Sequence, residues 1–483
     1  MKRFIIVLIG LVLTGCAVGP DYKRPLIDTP SAWRVEDREA RDLANTTWWG
    51  QFNDPVLNEL IQSALRENYD LKIATARVEE YAGRYLVGRS GLFPQIGAVG
   101  GGGQQRVTEH GPTPLSSTTR NPSTMYEAAF TGSWEIDIWG RLRRLTEAAR
   151  ADLLSTEEGR RAVILTLVSA IANSYVRLRD LDKELEIAQN TARSRAESYR
   201  LFKLRFEGGI VSLVELSQVK SEYELALARI PLIQKDIAFQ ENAVSILLGR
   251  NPGPIPRGKT IDELTLPAVP AGLPSELLEQ RPDIRQAEQD LIAANARIGA
   301  AKALYFPTIS LTGAFGWAST DLSNLFSGSS QAWNWAGTFT APIFTGGAIT
   351  GNYQATEAVE QQTLFRYQQS IQNAFREVDD ALADQKLTRE RLEAQKRQVD
   401  ALKDYARVAR LRYDEGYTSY LEVLDAERSL FNAELEYTQS QGVLFQALVN
   451  LYKAMGGGWV MEADKMTAQP VISDFWPLAS EGQ

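Results

Sequence analysis

The chain has few side chains with which to make or break bonds. Its 483 residues hold one cysteine, Cys16, and one histidine, His110. A Ser-His-Asp or Cys-His mechanism would run through His110 alone. A zinc site of the usual Cys/His type cannot be assembled, so no metal centre is expected, and no disulfide can close within the chain. His110 sits in Glu-His-Gly-Pro-Thr-Pro, a loop composition, and the five Met are scattered. With no Gly-rich phosphate loop in view, an enzyme is the least expected reading. What does recur is Gly-x-x-Ser-x-x-Glu, as Gly209, Ser212, Glu215 and again as Gly416, Ser419, Glu422. Gly permits a tight turn, and Ser-x-x-Glu is a capping box, so each copy predicts a turn that opens a helix. Asp425 follows Glu422 by one turn and shares its face, whereas the first copy carries Gln218 there. Capping is a sufficient job for Glu422, while Asp425 has no such local task.

The amino terminus sets the compartment. Met1-Lys2-Arg3 is a basic n-region and Phe4 to Leu13 an apolar h-region, too short for a stable span, so the start reads as a secretory signal. It closes on Leu13-Thr14-Gly15-Cys16, which resembles the bacterial lipobox, in which the Cys is lipidated and becomes the first mature residue. Ala17, rather than Asp, follows, the pattern sent to the outer membrane. Acyl chains contribute about 0.8 kcal/mol per buried CH₂, so a covalent lipid on Cys16 is the one prosthetic group expected. The net charge is −8, and loss of Lys2 and Arg3 with the signal leaves −10. An acidic chain has no basic footprint for nucleic acid.

The positioning elements come in two copies, and repeats decide the fold. Asn68-Tyr-Asp-Leu-Lys to Leu92-Phe-Pro-Gln-Ile96 aligns without gaps on Arg281-Pro-Asp-Ile-Arg to Tyr305-Phe-Pro-Thr-Ile309, and Arg205 to Glu215 aligns in the same order on Arg412 to Glu422. The Pro/Gly-dense stretch from Asn251 to Pro274 cannot continue a helix and reads as a connector. The expected organisation is signal 1–15, anchored segment 16–54, first repeat 55–250, connector 251–275, second repeat 276–459 and tail 460–483.

Each half predicts long helices around a strand pair. Asn352 to Glu415 contains no Gly or Pro and could extend roughly 95 Å as helix; Arg141 to Glu207 is interrupted only by Gly159. Stripes such as Val163, Leu167, Ala170, Ser174, Leu178 step by threes and fours, the spacing of helix packed on helix. The strands alternate: Ala128, Phe130, Trp134, Ile136, Ile138 against Glu127, Thr131, Ser133, Glu135; Ile309, Leu311, Phe315, Trp317 against Thr308, Ser310, Thr312; and Trp333, Trp335, Phe339, Ile343 against Asn334, Thr338, Thr340. One apolar face with aromatic ends suits a membrane barrel strand, or the core face of a soluble sandwich. Gly100–Gly103 blurs the first strand. Four strands cannot close a barrel, for which about eight is the practical minimum. Open edges therefore ask for an oligomer, and three chains would supply twelve strands.

At this point the chain resembles the TolC-like outer-membrane efflux channels, in their lipoprotein branch. The likeness is carried by Leu13-Thr-Gly-Cys16, Trp48-Trp49, Phe93-Pro94, Leu277-Leu-Glu-Gln-Arg-Pro-Asp-Ile-Arg285, Tyr305-Phe-Pro307, Tyr420-Leu-Glu-Val-Leu-Asp-Ala426 and Asn450-Leu-Tyr-Lys-Ala-Met-Gly-Gly-Gly-Trp459. The resemblance implies an α+β membrane protein: a homotrimer whose twelve-stranded β-barrel continues into a twelve-helix coiled-coil tunnel, with a mixed α/β belt. It implies a passive duct in the bacterial outer membrane that exports drugs or other toxic small molecules. The energy would come from an inner-membrane transporter of the RND type through a periplasmic adaptor. It also implies that Leu421, Glu422 and Asp425 constrict the closed periplasmic end, and that Arg412 and Tyr413 tie neighbouring hairpins shut. Threefold repetition of a carboxylate around one axis favours cations. The competing readings are a protein or peptide secretion channel of the same architecture and a lipid-anchored structural coiled coil.

Overall fold

The structure, a computed structural model, describes residues 17–30, 32–34, 47–110, 120–268, 277–456 and 458–472. Cys16 and the connector residues 269–276 fall outside this set. Both halves share one order: a 22-residue helix, two strands and two long helices. The first runs α1 (Pro55–Glu67), α2 (Tyr69–Ser90), β1 (Gln95–Gln105), β2 (Ser123–Ile136), α3 (Arg141–Glu207) and α4 (Leu213–Leu247). The second runs α5 (Pro282–Ala303), β3 (Thr308–Ser319), β4 (Gln331–Thr340), α6 (Ala348–Asp414), α7 (Tyr420–Met455) and the short α8 (Trp459–Lys465). Two 67-residue helices thus occupy matching places, each about 100 Å long at 1.5 Å per residue. Gly159 does not interrupt α3. It faces the Gln286 amide, where a Cβ would come within 3.2 Å. Ile138 and Ile343 lie past the strand ends, so the alternating pattern overran its elements by a few residues.

The chain divides into two compact units, each drawing on both halves: Met1–Leu26 with Glu79–Ser155 and Ala287–Tyr367, and Ile27–Val78 with Thr156–Gln286 and Gln368–Gln483. The first unit holds one antiparallel sheet, ordered β1-β2-β3-β4. The seam between the halves is β2 with β3, where Phe130 faces Phe315 and Trp134 faces Leu311. Asp137 caps α3 by accepting from the Leu142 and Arg143 backbone N–H groups at 3.0 and 2.8 Å. The N-terminal segment packs beside this junction. Val18 N–H donates to the Trp139 carbonyl at 3.0 Å, Ala17 lies against Gly140, and Arg24 and Tyr22 both donate to Glu288.

The second unit is helical and carries the main core. Trp48 is fully buried, stacked on Tyr452 at 5.3 Å and edge-on to Trp459 at 5.9 Å, so three residues of the motifs that mark the resemblance meet in one aromatic cluster. Buried Asp54 binds the connector, accepting from Tyr175 Oη at 2.6 Å and from the Lys259 N–H at 3.0 Å. The duplication is visible in the bonds themselves. Asn68 Nδ2 donates to the Leu247 carbonyl at the end of α4 (3.0 Å), and its repeat partner Arg281 donates to the Ala454 carbonyl at the end of α7 (2.8 Å). Beside them Gly249 and Gly456 both take positive φ, 67° and 60°, the left-handed helix end that glycine permits.

Arg281 is also buried and paired with Asp283 and Glu377 at 2.7 and 2.8 Å. Its removal strands two carboxylates and a carbonyl. Arg281→Ala should therefore destabilise the helical unit by about 2–3 kcal/mol, and Asn68→Ala by about 1 kcal/mol. Thermal melts of the detergent-solubilised protein would read this, and equal midpoints for the two variants would refute it.

Candidate functional site

The two Gly-x-x-Ser-x-x-Glu copies form the turns of two helical hairpins, α3–α4 and α6–α7. Gly209 and Gly416 take φ of 74° and 79°. In each turn the next residue reaches back: Ile210 N–H donates to the Arg205 carbonyl and Tyr417 N–H to the Arg412 carbonyl, both at 2.8 Å. The backbone is the same in both copies; the side chains are not. Ser212 forms the full capping box, with its Oγ accepting from the Glu215 N–H and Glu215 accepting from the Ser212 N–H. The second box does not form, which corrects the expectation for Ser419 and Glu422. Ser419 makes no side-chain cap. Glu422 turns away to accept from Arg412 Nη1 at 3.0 Å and from Thr418 Oγ1, because a guanidinium offers a charge-assisted bond that a neutral backbone N–H does not match. Val211 stands at the place of Thr418 in the first hairpin, so no hydroxyl competes for Glu215.

Asp425 accepts from Arg428 at 2.9 Å, with both side chains about half exposed. Gln218, Leu421, Glu422, Asp425 and Arg428 line a cavity of about 590 Å³ with Tyr405. Leu421 is 59% exposed. Tyr413 bridges the hairpins, accepting from Arg205 Nη1 at 2.9 Å, stacking on Phe202 and meeting Tyr420 edge-on. Arg412 acts inside its own hairpin, on Glu422. Its repeat partner Arg205 was visible in the alignment and not singled out. Behind the tips, burial pushes the Glu427 carboxyl up, with Arg410 and Arg195 opposing the shift.

A second feature was legible and missed. On α4, Leu225, Leu232, Phe239 and Ile246 recur every seventh residue and are all exposed, at 53%, 41%, 64% and 62%. A heptad spacing is the signature of a helix seeking a helical partner.

The sheet sorts its side chains by face. Tyr126, Phe130, Trp134, Ile309, Leu311, Phe315, Trp333, Trp335 and Phe339 share one side by register, and Trp333, Trp335 and Phe339 are about 70% exposed. The other side carries Thr131, Ser133, Ser310, Thr312, Asn334 and Thr338. β1 continues through Gly100–Gly103 without a break. Gly102 lies under the Tyr126 ring, where a Cβ would come within 2.7 Å of it. Both outer strands, β1 and β4, have one unpaired edge. An aromatic face outward, a small-polar face inward and strands of 10 to 14 residues are the marks of a transmembrane barrel segment.

Sheet, hairpins and long helices together define an outer-membrane channel. The sequence profile of the family described as outer membrane efflux protein matches residues 60–250 and 273–457, and the chain belongs to that family. It is 35% identical over 472 residues to the antibiotic efflux pump outer membrane protein ArpC of Pseudomonas putida, covering 96% of this chain and 97% of that one. It is 38% identical over 461 residues to the cation efflux system protein CusC of Escherichia coli K12, covering 93% and 98%. Among solved structures, the open state of the Neisseria gonorrhoeae MtrE outer membrane channel superposes with a TM-score of 0.83 at 31% identity, covering 92% and 99%. The protein is thus an outer-membrane efflux channel, the outer-membrane component of an efflux pump, of a family of channels rather than catalysts.

Two outcomes follow from this geometry. Ser212→Ala should speed exchange of the Glu215 amide about fivefold, a lost cap being worth about 1 kcal/mol, while Ser419→Ala leaves the Glu422 amide unchanged; equal effects in hydrogen exchange would contradict the unequal caps. Farther up α3, burial pushes the Asp180 carboxyl up to about 7, with Arg177 opposing the rise and Glu184 adding to it. An aspartate whose folded pKa lies above its unfolded one stabilises the fold most in acid and loses that contribution as pH rises from about 4 to about 7. Asp180→Asn should therefore melt above wild type at pH 8, by on the order of 4 kcal/mol, and level with it near pH 4. A pH-independent difference in melting temperature would exclude titration at this residue.

Proposed function

We propose that the chain works as a homotrimer, a passive exit duct for drugs and other toxic small molecules, coupled to an RND-type inner-membrane transporter through a periplasmic adaptor. The observation that carries the reading is the four-stranded sheet with an aromatic face and two unpaired edges. Three copies give twelve strands, enough to close a barrel and leave no edge in lipid. The heptad stripe on α4 supplies a matching helical contact for a neighbouring copy. The domain limits read from the sequence serve as the repeat units of that assembly. Cys16 carries the lipid: the residue after it is seated against Gly140, just past the end of β2, so acyl chains on Cys16 would enter the membrane beside the barrel rim.

In this trimer Leu421, Glu422 and Asp425 form rings at the periplasmic end, with Gln218 beside them. Arg412 holds Glu422 and Tyr413 ties hairpin to hairpin. Gly209 and Gly416 set the turns, and Ser212, Glu215 and Ser419 start the returning helices. The carboxylate rings favour cations and narrow the entrance. Wild-type protein should run in detergent at the mass of three lipidated chains and form channels in planar bilayers. Asp425→Asn should raise conductance or weaken cation preference. A monomeric particle without channels would sink the trimeric duct, whereas normal channels insensitive to Asp425→Asn would sink only the gate. Deletion of the gene should sensitise cells to several chemically unrelated drugs; an unchanged drug panel would remove that substrate class.

A further inference from the structure

Across all four strands the only charged residues are Glu127 and Glu135, and neither Lys nor Arg occurs in any of them. Glu135 is neutralised in place, bound through both oxygens by Arg141 at 2.7 and 3.1 Å. Among the described residues Glu127 has no such partner: Arg106, just past the end of β1, pairs instead with Glu109 at 3.9 Å. Register puts Glu127 on the small-polar face, opposite Gly101 on one side and Ala318 on the other. Its carboxylate lies over Gly101, where Oε1 would stand 3.4 Å from a Cβ. The neighbours of Gly101 on that face of β1 are Val99 and Gly103, and those of Ala318 on β3 begin with Gly316. Gly103 has open space where a Cβ would be. The residue is exposed, and only glycine and alanine stand directly across from it on the two neighbouring strands. It lies four residues from the loop end of β2, about 13 Å along the strand.

An ionised carboxylate at this depth is tolerated only where water reaches it, and a glycine-lined strand opposite keeps that water in contact. We propose that Glu127 is a charge-selectivity residue of the barrel lumen, separate from the periplasmic constriction, which favours cationic solutes and disfavours anionic ones on their way out. The inference rests on the trimeric channel reading, since three copies are needed to set the potential of one lumen. A ring in a wide barrel acts over about one Debye length, ~10 Å at 0.1 M salt and ~3 Å at 1 M, so its influence belongs to low ionic strength.

The test is reversal potential across planar bilayers, in an Asp425→Asn background so that the constriction does not dominate. Glu127→Gln should lower the cation-to-anion permeability ratio about two- to threefold near 0.05 M KCl, with the difference gone near 1 M, and Glu127→Lys should lower it further or invert it. Channels of normal conductance with an unchanged ratio in both variants would overturn the inference alone. Absence of channels from the Asp425→Asn parent itself would instead overturn the trimeric reading on which it rests.

Discussion

A backbone amide in hydrocarbon has to find its partner within the protein, and four strands cannot do this by themselves. β1 and β4 each leave one edge of N–H and C=O groups open, a condition that lipid does not permit. The aromatic face makes a compact soluble alternative equally unfavourable, because Trp333, Trp335 and Phe339 would stand in water. One constraint therefore reaches from the backbone to the quaternary level. The chain supplies two strands per half, joins them at the β2–β3 seam, and leaves one edge of β1 and one of β4 open. The heptad stripe on α4 applies the same logic to helices.

The duplicated halves show which parts of the unit are structural. Where the repeats carry the same load they keep the same bonds with different atoms: an amide from Asn68 or a guanidinium from Arg281 holds the end of the long hairpin that follows it, each beside a glycine with positive φ. At the tips the turn is kept and the chemistry diverges. Glu215 is consumed by its cap, while Glu422 is drawn off by Arg412 and Thr418. A scaffold under equal mechanical demand in both copies should not diverge there; a constriction with distinct inner and outer hairpins should.

Much of this was legible in the residues. Gly/Pro-free stretches gave α3 and α6 nearly to their ends, alternation gave β2, β3 and β4, and the Gly-x-x-Ser-x-x-Glu copies marked both turns. The failures have physical reasons. Gly100–Gly103 carries no side-chain pattern, so β1 became visible only through its pairing with β2. A capping box is a local signal, and at Glu422 a longer-range guanidinium outcompeted it. Arg281 belonged to a quoted motif, yet its burial depends on Glu377 and Ala454, remote in sequence. The α4 stripe could have been counted, but its residues are spaced at seven among many other apolar positions. Compact units that interleave the halves follow from β2 pairing with β3, a long-range contact that no window along the chain contains.

The distribution of charge gives the last constraint. Of the net charge of −8 the strands carry only the −2 of Glu127 and Glu135; there a charge facing lipid would cost several kcal/mol. In the helices Arg offsets several carboxylates, as at Glu422, Asp425 and Glu377. A passive duct has to attract its cargo enough to admit it and weakly enough to release it, and a deep single site would fail the second condition. Weak, hydrated carboxylates of one sign, placed apart and partly offset by arginine, satisfy both. Glu127, directly across from Gly101 and Ala318, is the strand position where that principle can act without competing with the demands of the bilayer.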